Sequence, residues 1–130
     1  MKEQISFMTS LFESGVAKQA AEGDRLLGED LAVWLGSRPH DDEFVFDKPV
    51  QAGAGWTETV HVGGSDFMLG FNIVHASVGS DYSEWRITID GGQKWKFFSS
   101  PSSTVRGRLC DHIHNVLRSE RFVREIQWCD

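Results

Sequence analysis

Apolar and polar residues alternate with a period of two through Glu84 to Phe98, EWRITIDGGQKWKFF. Trp85, Ile87 and Ile89 interleave with Arg86, Thr88 and Asp90; beyond Gly91 and Gly92, Trp95 and Phe97 interleave with Lys94, Lys96 and Phe98. Period two marks a strand with one buried face, and the glycine-rich break between two such runs predicts a β-hairpin. A two-residue turn at Gly91 and Gly92 would set Ile87 opposite Lys96 and send the two apolar rows to opposite sides. A three-residue loop, Asp90 to Gly92 with Gly92 left-handed, sets Ile87 opposite Trp95 and Trp85 opposite Phe97, and this is the expected register.

Elsewhere the period changes. From Lys2 to Glu22, Ile5, Met8, Phe12 and Val16 recur every three or four residues, the pattern of an amphipathic helix ended by Gly23. Leu27, Leu31, Trp34 and Leu35 form a second such stripe; Gly28 moves its start to about Glu29, and Gly36 to Pro39 stop it. Phe44 to Phe46 reads as a short strand, Gln51 to Gly55 as a turn, and Trp56 to Val62 as a strand whose apolar row is broken by Glu58, which suggests an edge. Gly63 to Asp66 reads as a four-residue turn pairing Val62 with Phe67, and Phe67 to Ile73 as the longest strand. After a loop at Ser77 to Ser83, the hairpin and a serine-rich break, Val105, Leu109, Ile113, Val116 and Leu117 predict a C-terminal helix. Phe122 to Trp128 fits either period, and a strand is expected there.

These elements predict one α+β domain over residues 1–130: an antiparallel meander of about five strands covered on one face by N-terminal and C-terminal helices. A curved sheet wrapped around the first helix is the variant considered next. With 130 residues, 40% hydrophobic and 12% aromatic, the chain has enough apolar side chain for a core without staples. No apolar run reaches membrane-spanning length, and MKEQISFMTSLFESG lacks the form of a secretory signal, so a cytoplasmic protein is expected. Cys110 and Cys129 are expected as free thiols.

Charge alters this picture. The net value is −6, but residues 1–90 hold fifteen acidic against six basic residues (−9), and residues 91–130 hold four against seven (+3). Such asymmetry can steer association with a charged partner.

Candidate chemistry is sparse. His40, Asp41, Asp42 and Glu43 offer metal-ligand types, but consecutive loop residues seldom converge on one ion without a glycine among them. Cys110 and His114, four apart, can share a helix face, whereas His112 and His114 point about 200° apart, and a zinc site would need two more ligands from elsewhere. There is no Gly-x-Ser-x-Gly elbow and no phosphate-binding glycine loop. Arg86, Lys94, Lys96 and Phe98 resemble a nucleic-acid platform in type, and the overall acidity argues against that role. No metal, no cofactor and no catalytic set is expected.

Elimination therefore favours a protein-binding module, an inhibitor or immunity-type protein that blocks a toxin or nucleic-acid-processing partner with a basic surface. Asp41, Asp42, Glu43, Asp81 and Tyr82 are the expected contacts. Two alternatives come from other classes: an acidic homodimeric secretion or assembly chaperone using Trp56 or Phe98, and a small enzyme with an aromatic-lined pocket and His75 or His61 as base.

Overall fold

The row containing Trp85, Ile87 and Ile89 is a strand, and those three side chains are buried between partly exposed neighbours. The structure, a computed structural model, describes residues 4–12, 27–52, 55–75, 82–91 and 99–129, with the backbone alone at 75 and 99–104. In chain order the elements are β1 (Gln4–Thr9), α1 (Glu29–Ser37), β2 (Phe44–Phe46), β3 (Val50–Ala52), β4 (Gly55–Val62), β5 (Ser65–His75), β6 (Ser83–Gly91), α2 (Ser99–Arg118) and β7 (Val123–Cys129). The fold is α+β. Among the described residues seven antiparallel strands form one sheet in the order β2-β4-β5-β6-β1-β7, with β3 also pairing β4.

The strand count therefore exceeds the expected five, and the N-terminal segment accounts for part of the difference. Gln4–Thr9 is a strand, not the first turns of a helix. Its apolar residues satisfy both periods: Ile5 and Met8 are three apart, while Ile5, Phe7 and Thr9 alternate and are all buried. Tertiary pairing decided between them, because β1 fills the space between β6 and β7 and satisfies backbone groups on both sides. Residues 13–22 of the expected helix lie outside the described residues.

The same insertion overturns the expected hairpin register. β6 is flanked by β5 and β1, so Ile5 stands opposite Ile87 and Phe7 opposite Trp85, the places assigned above to Trp95 and Phe97. Residues 92–98, the expected second arm, lie outside the described residues. Gly91, with φ of +101°, takes the conformation expected of Gly92, and a Cβ there would come 2.7 Å from the Asp66 carbonyl oxygen.

The turn between β4 and β5 is also tighter than expected. Gly63 (φ +52°) and Gly64 (φ +81°) make a two-residue turn that pairs Val62 with Ser65 and Val60 with Phe67. Moving the register by an even number of residues keeps the same faces together, so alternation alone could not distinguish the two turns. β4 is not an edge, since β2 and β3 pair one side of it and β5 the other.

α1 begins at Glu29 after Gly28 (φ +119°), and a Cβ at Gly28 would lie 3.0 Å from the Phe71 carbonyl oxygen. Leu31, Ala32 and Leu35 of α1 and Leu109, Ile113 and Leu117 of α2 join Val60, Leu69, Phe71, Trp85 and Ile87 in one core. Burial of each large side chain contributes about 1.5–3 kcal/mol. Arg106 of α2 donates from Nη2 to the Ile89 carbonyl oxygen at 2.6 Å inside that core, tying the helix to β6. Residues 123–129 form the expected last strand, with a bulge between Ser6 and Met8 of its partner and Glu125 at φ +56°.

Candidate functional site

The loop that joins α1 to β2 is anchored at both ends. Arg38 leaves the helix in an extended conformation and Pro39 prevents its continuation. His40 Nε2 then lies 2.9 Å from the Leu35 carbonyl oxygen. A carbonyl only accepts, so His40 Nε2 carries a proton, and the neutral ring presents Nδ1 as an acceptor. His112 Nε2 of α2 lies 2.7 Å from that Nδ1 and donates to it when both rings are neutral. Each imidazole is stacked on a ring of β2: His40 on Phe46 (4.1 Å, 18°) and His112 on Phe44 (4.1 Å, 7°). Arg108 Nε donates to Glu43 Oε1 at 3.0 Å, and the Phe44 amide donates to the Asp41 carbonyl oxygen at 3.0 Å.

The result is a loop held at both ends whose tip is solvent-facing. Asp41 and Asp42 are exposed, and neither forms an ion pair among the described residues. Behind them, burial pushes the His112 imidazole below its ordinary pKa and the His40 ring pushes in the same direction; Asp41 and Glu43 act the other way.

Among the described residues, the expected contacts lie at two ends of the sheet. Asp41 to Glu43 precede Phe44, which pairs with Val62 beside the Gly63–Gly64 turn, at the same end of the sheet as Gly91. Tyr82 precedes Ser83 at the other end of β6, a separation along the strands of about 25–30 Å at 3.3 Å per residue. There Tyr82 is half-buried, with the Arg124 guanidinium 3.7 Å from its ring centroid. Asp81 lies outside the described residues. A cavity of about 230 Å³ lined by Ser6, Phe7, Met8, Glu84, Glu125 and Gln127 occupies the Tyr82 half.

Glu58 is a chemically distinctive residue that pattern reading did not single out as a site residue, and His61, the base of the enzyme alternative, shares its strand. Glu58 is buried, and burial, followed by the charge of Asp47, raises its pKa to about 8. Among the described residues Oε1 has no hydrogen-bond partner. The carboxyl lies beneath Gly36 in the C-terminal turn of α1. It is accordingly a protonated acid at neutral pH. The interruption of the β4 apolar row was the available signal, and it marked a buried carboxyl instead of a sheet edge.

His61 faces the other side of β4. Its Nδ1 donates to Asp66 Oδ1 at 2.7 Å and its Nε2 to Asp47 Oδ2 at 2.8 Å. Hydrogen bonds to Asp47 and then to Asp66 raise its pKa, and both ring nitrogens are engaged by carboxylates. The side chain of His75 lies outside the described residues.

The remaining candidates are dispersed. Cys110 is buried, His112 bonds to His40, and His114 Nδ1 accepts from Trp128 Nε1 at 2.9 Å, so Cys110, His112 and His114 have separate environments. Among the described residues no three His, Cys, Asp or Glu side chains are grouped to hold a metal ion, and no helix is long and apolar enough to cross a membrane. Trp56, a proposed chaperone contact, is half-buried, and Phe98 lies outside the described residues. No protein-family model, no curated protein and no solved structure matches this chain.

Proposed function

We propose that this protein is a cytoplasmic protein-binding module, of inhibitor or immunity type, that presents the Asp41–Asp42 tip to a basic surface on a toxin or nucleic-acid-processing enzyme. The reading takes the helices as cover for one face of the sheet, leaving loops and the opposite face to the partner. One observation supports it above the others: His40, Glu43 and Phe44 anchor a loop whose two carboxylates stay exposed and unpaired. Anchoring lowers the ordering cost of association, and unpaired surface carboxylates raise the encounter rate with a cationic site. We take the 41–43 end as the primary contact because Tyr82 lies some 25–30 Å away along the strands.

The test compares the tagged protein with an Asp41→Asn/Asp42→Asn variant in extract of the native cell, with retained proteins identified by mass spectrometry. A basic protein should be retained by the first, lost by the second, and released as salt rises from about 0.1 to about 0.5 M. A partner retained equally by both, or held independently of salt, would remove this surface from consideration.

A further inference from the structure

His40 and His112 hold the loop through a bond between two imidazoles, and such a bond has a strict proton count. In the neutral pair His112 Nε2–H donates to His40 Nδ1 at 2.7 Å, while His40 Nε2–H is committed to the Leu35 carbonyl oxygen at 2.9 Å. One added proton is accommodated on His112 Nδ1, at the desolvation cost of charging a half-buried ring. A second must go to His40 Nδ1, where an N–H would then face the His112 N–H with no acceptor between them. The latched pair takes up at most one proton without breaking; the two rings released into water take up two.

We infer that His40 and His112 form a proton-operated latch, which locks the 38–43 loop onto α2 at neutral pH and frees it in mild acid. The charged groups facing the pair are Asp41 and Glu43 of the loop, with Arg108 of α2 engaging Glu43. Asp41 and Glu43 draw protons toward His112, and Arg108 tempers that pull by pairing with Glu43. β2 contributes the uncharged rings of Phe44 and Phe46, and α1 contributes the Leu35 carbonyl. The latch joins the loop and its sequence neighbours α1 and β2 to α2, 72 residues further on, so its opening releases the loop as a unit. Taken with the proposed function, on which only this consequence rests, acidification would disorder the Asp41–Asp42 tip and weaken partner binding.

The test needs no partner, so its failure is separate from failure of the binding reading. Hydrogen exchange of the full chain, corrected for intrinsic rates, is compared at about pH 7.5 and about pH 5 for segment 38–46 and for β6. At pH 5 an imidazole of ordinary pKa favours its protonated form by about thirtyfold, so protection of 38–46 should fall by about that factor while β6 stays protected. In His112→Gln, whose amide can donate to His40 Nδ1 or accept from it, the fall should be absent. Nitrogen-15 spectra of the unaltered protein provide a second readout: at pH 7.5 both histidines should carry Nε2–H, with a scalar coupling across the N–H···N bond. Equal protection of 38–46 at both pH values, a parallel loss in β6, the same fall in His112→Gln, or no such coupling would each overturn the latch.

Discussion

Gly36 stands so close over Glu58 that a Cβ built on the glycine would come 2.5 Å from the carboxyl Oε2. Helix and strand approach at that distance because position 36 has no side chain, and the carboxyl fills the space. Gly36→Ala would ordinarily favour a helix by about 1 kcal/mol. Here it should instead destabilise the protein by about 1–3 kcal/mol through overpacking. The same substitution in a Glu58→Ala background should be neutral or stabilising, and a denaturant-melt double-mutant cycle measures the difference.

Glu58 also predicts an unusual pH profile. Its folded pKa of about 8 exceeds the ordinary 4.5, so the folded state holds the proton more tightly than the unfolded state. Its contribution is fully favourable below 4.5 and is lost as pH rises toward 8. Glu58→Gln, which cannot ionise, should leave stability near pH 4.5 little changed and raise it by roughly 2–4 kcal/mol above pH 8. Thermal melts across that range read the effect; parallel profiles for the two proteins would show that Glu58 ionises freely in the fold.

The opposite face of β4 behaves differently. His61 is stabilised as an imidazolium by Asp47 and Asp66, so its contribution is full below about pH 6.5 and disappears as pH rises past the elevated value. Its side chain is 43% exposed, so solvent screening limits the effect. His61→Gln should cost about 0.5–1 kcal/mol at pH 6, less in about 0.5 M salt, and nothing at high pH. An undiminished loss in high salt would point to packing instead of charge.

Asp41 and Asp42 should be dispensable for folding. Exposed carboxylates without ion partners contribute within about ±0.5 kcal/mol, so the Asp41→Asn/Asp42→Asn protein should melt with the unaltered chain. A large shift in the midpoint would make these residues structural and would compromise their use as a binding probe.

Much of the secondary structure was legible from local pattern because the deciding physics is local. Gly28 sets the start of α1, Arg38 and Pro39 its end, and alternation sets β4, β5 and β6. β3 escaped notice because Val50–Ala52 is three exposed residues long and has no buried row to reveal it. Of the site, the exposure of Asp41 to Glu43 followed from their charge, whereas the bonds that hold them did not.

By itself, then, the sequence determined which residues alternate, where helices stop, and that charge divides between an acidic front and a basic tail. The tertiary structure decided everything that depends on which segments meet. It made Gln4–Thr9 a strand by giving it two neighbours, turned Glu58 from an apparent edge residue into a buried acid, and brought His40 to His112 across 72 residues of chain. Periodicity records how a segment divides itself between solvent and core. It carries no information on which distant partner supplies the core, and that partner sets the pairing, desolvation and protonation on which the candidate site depends.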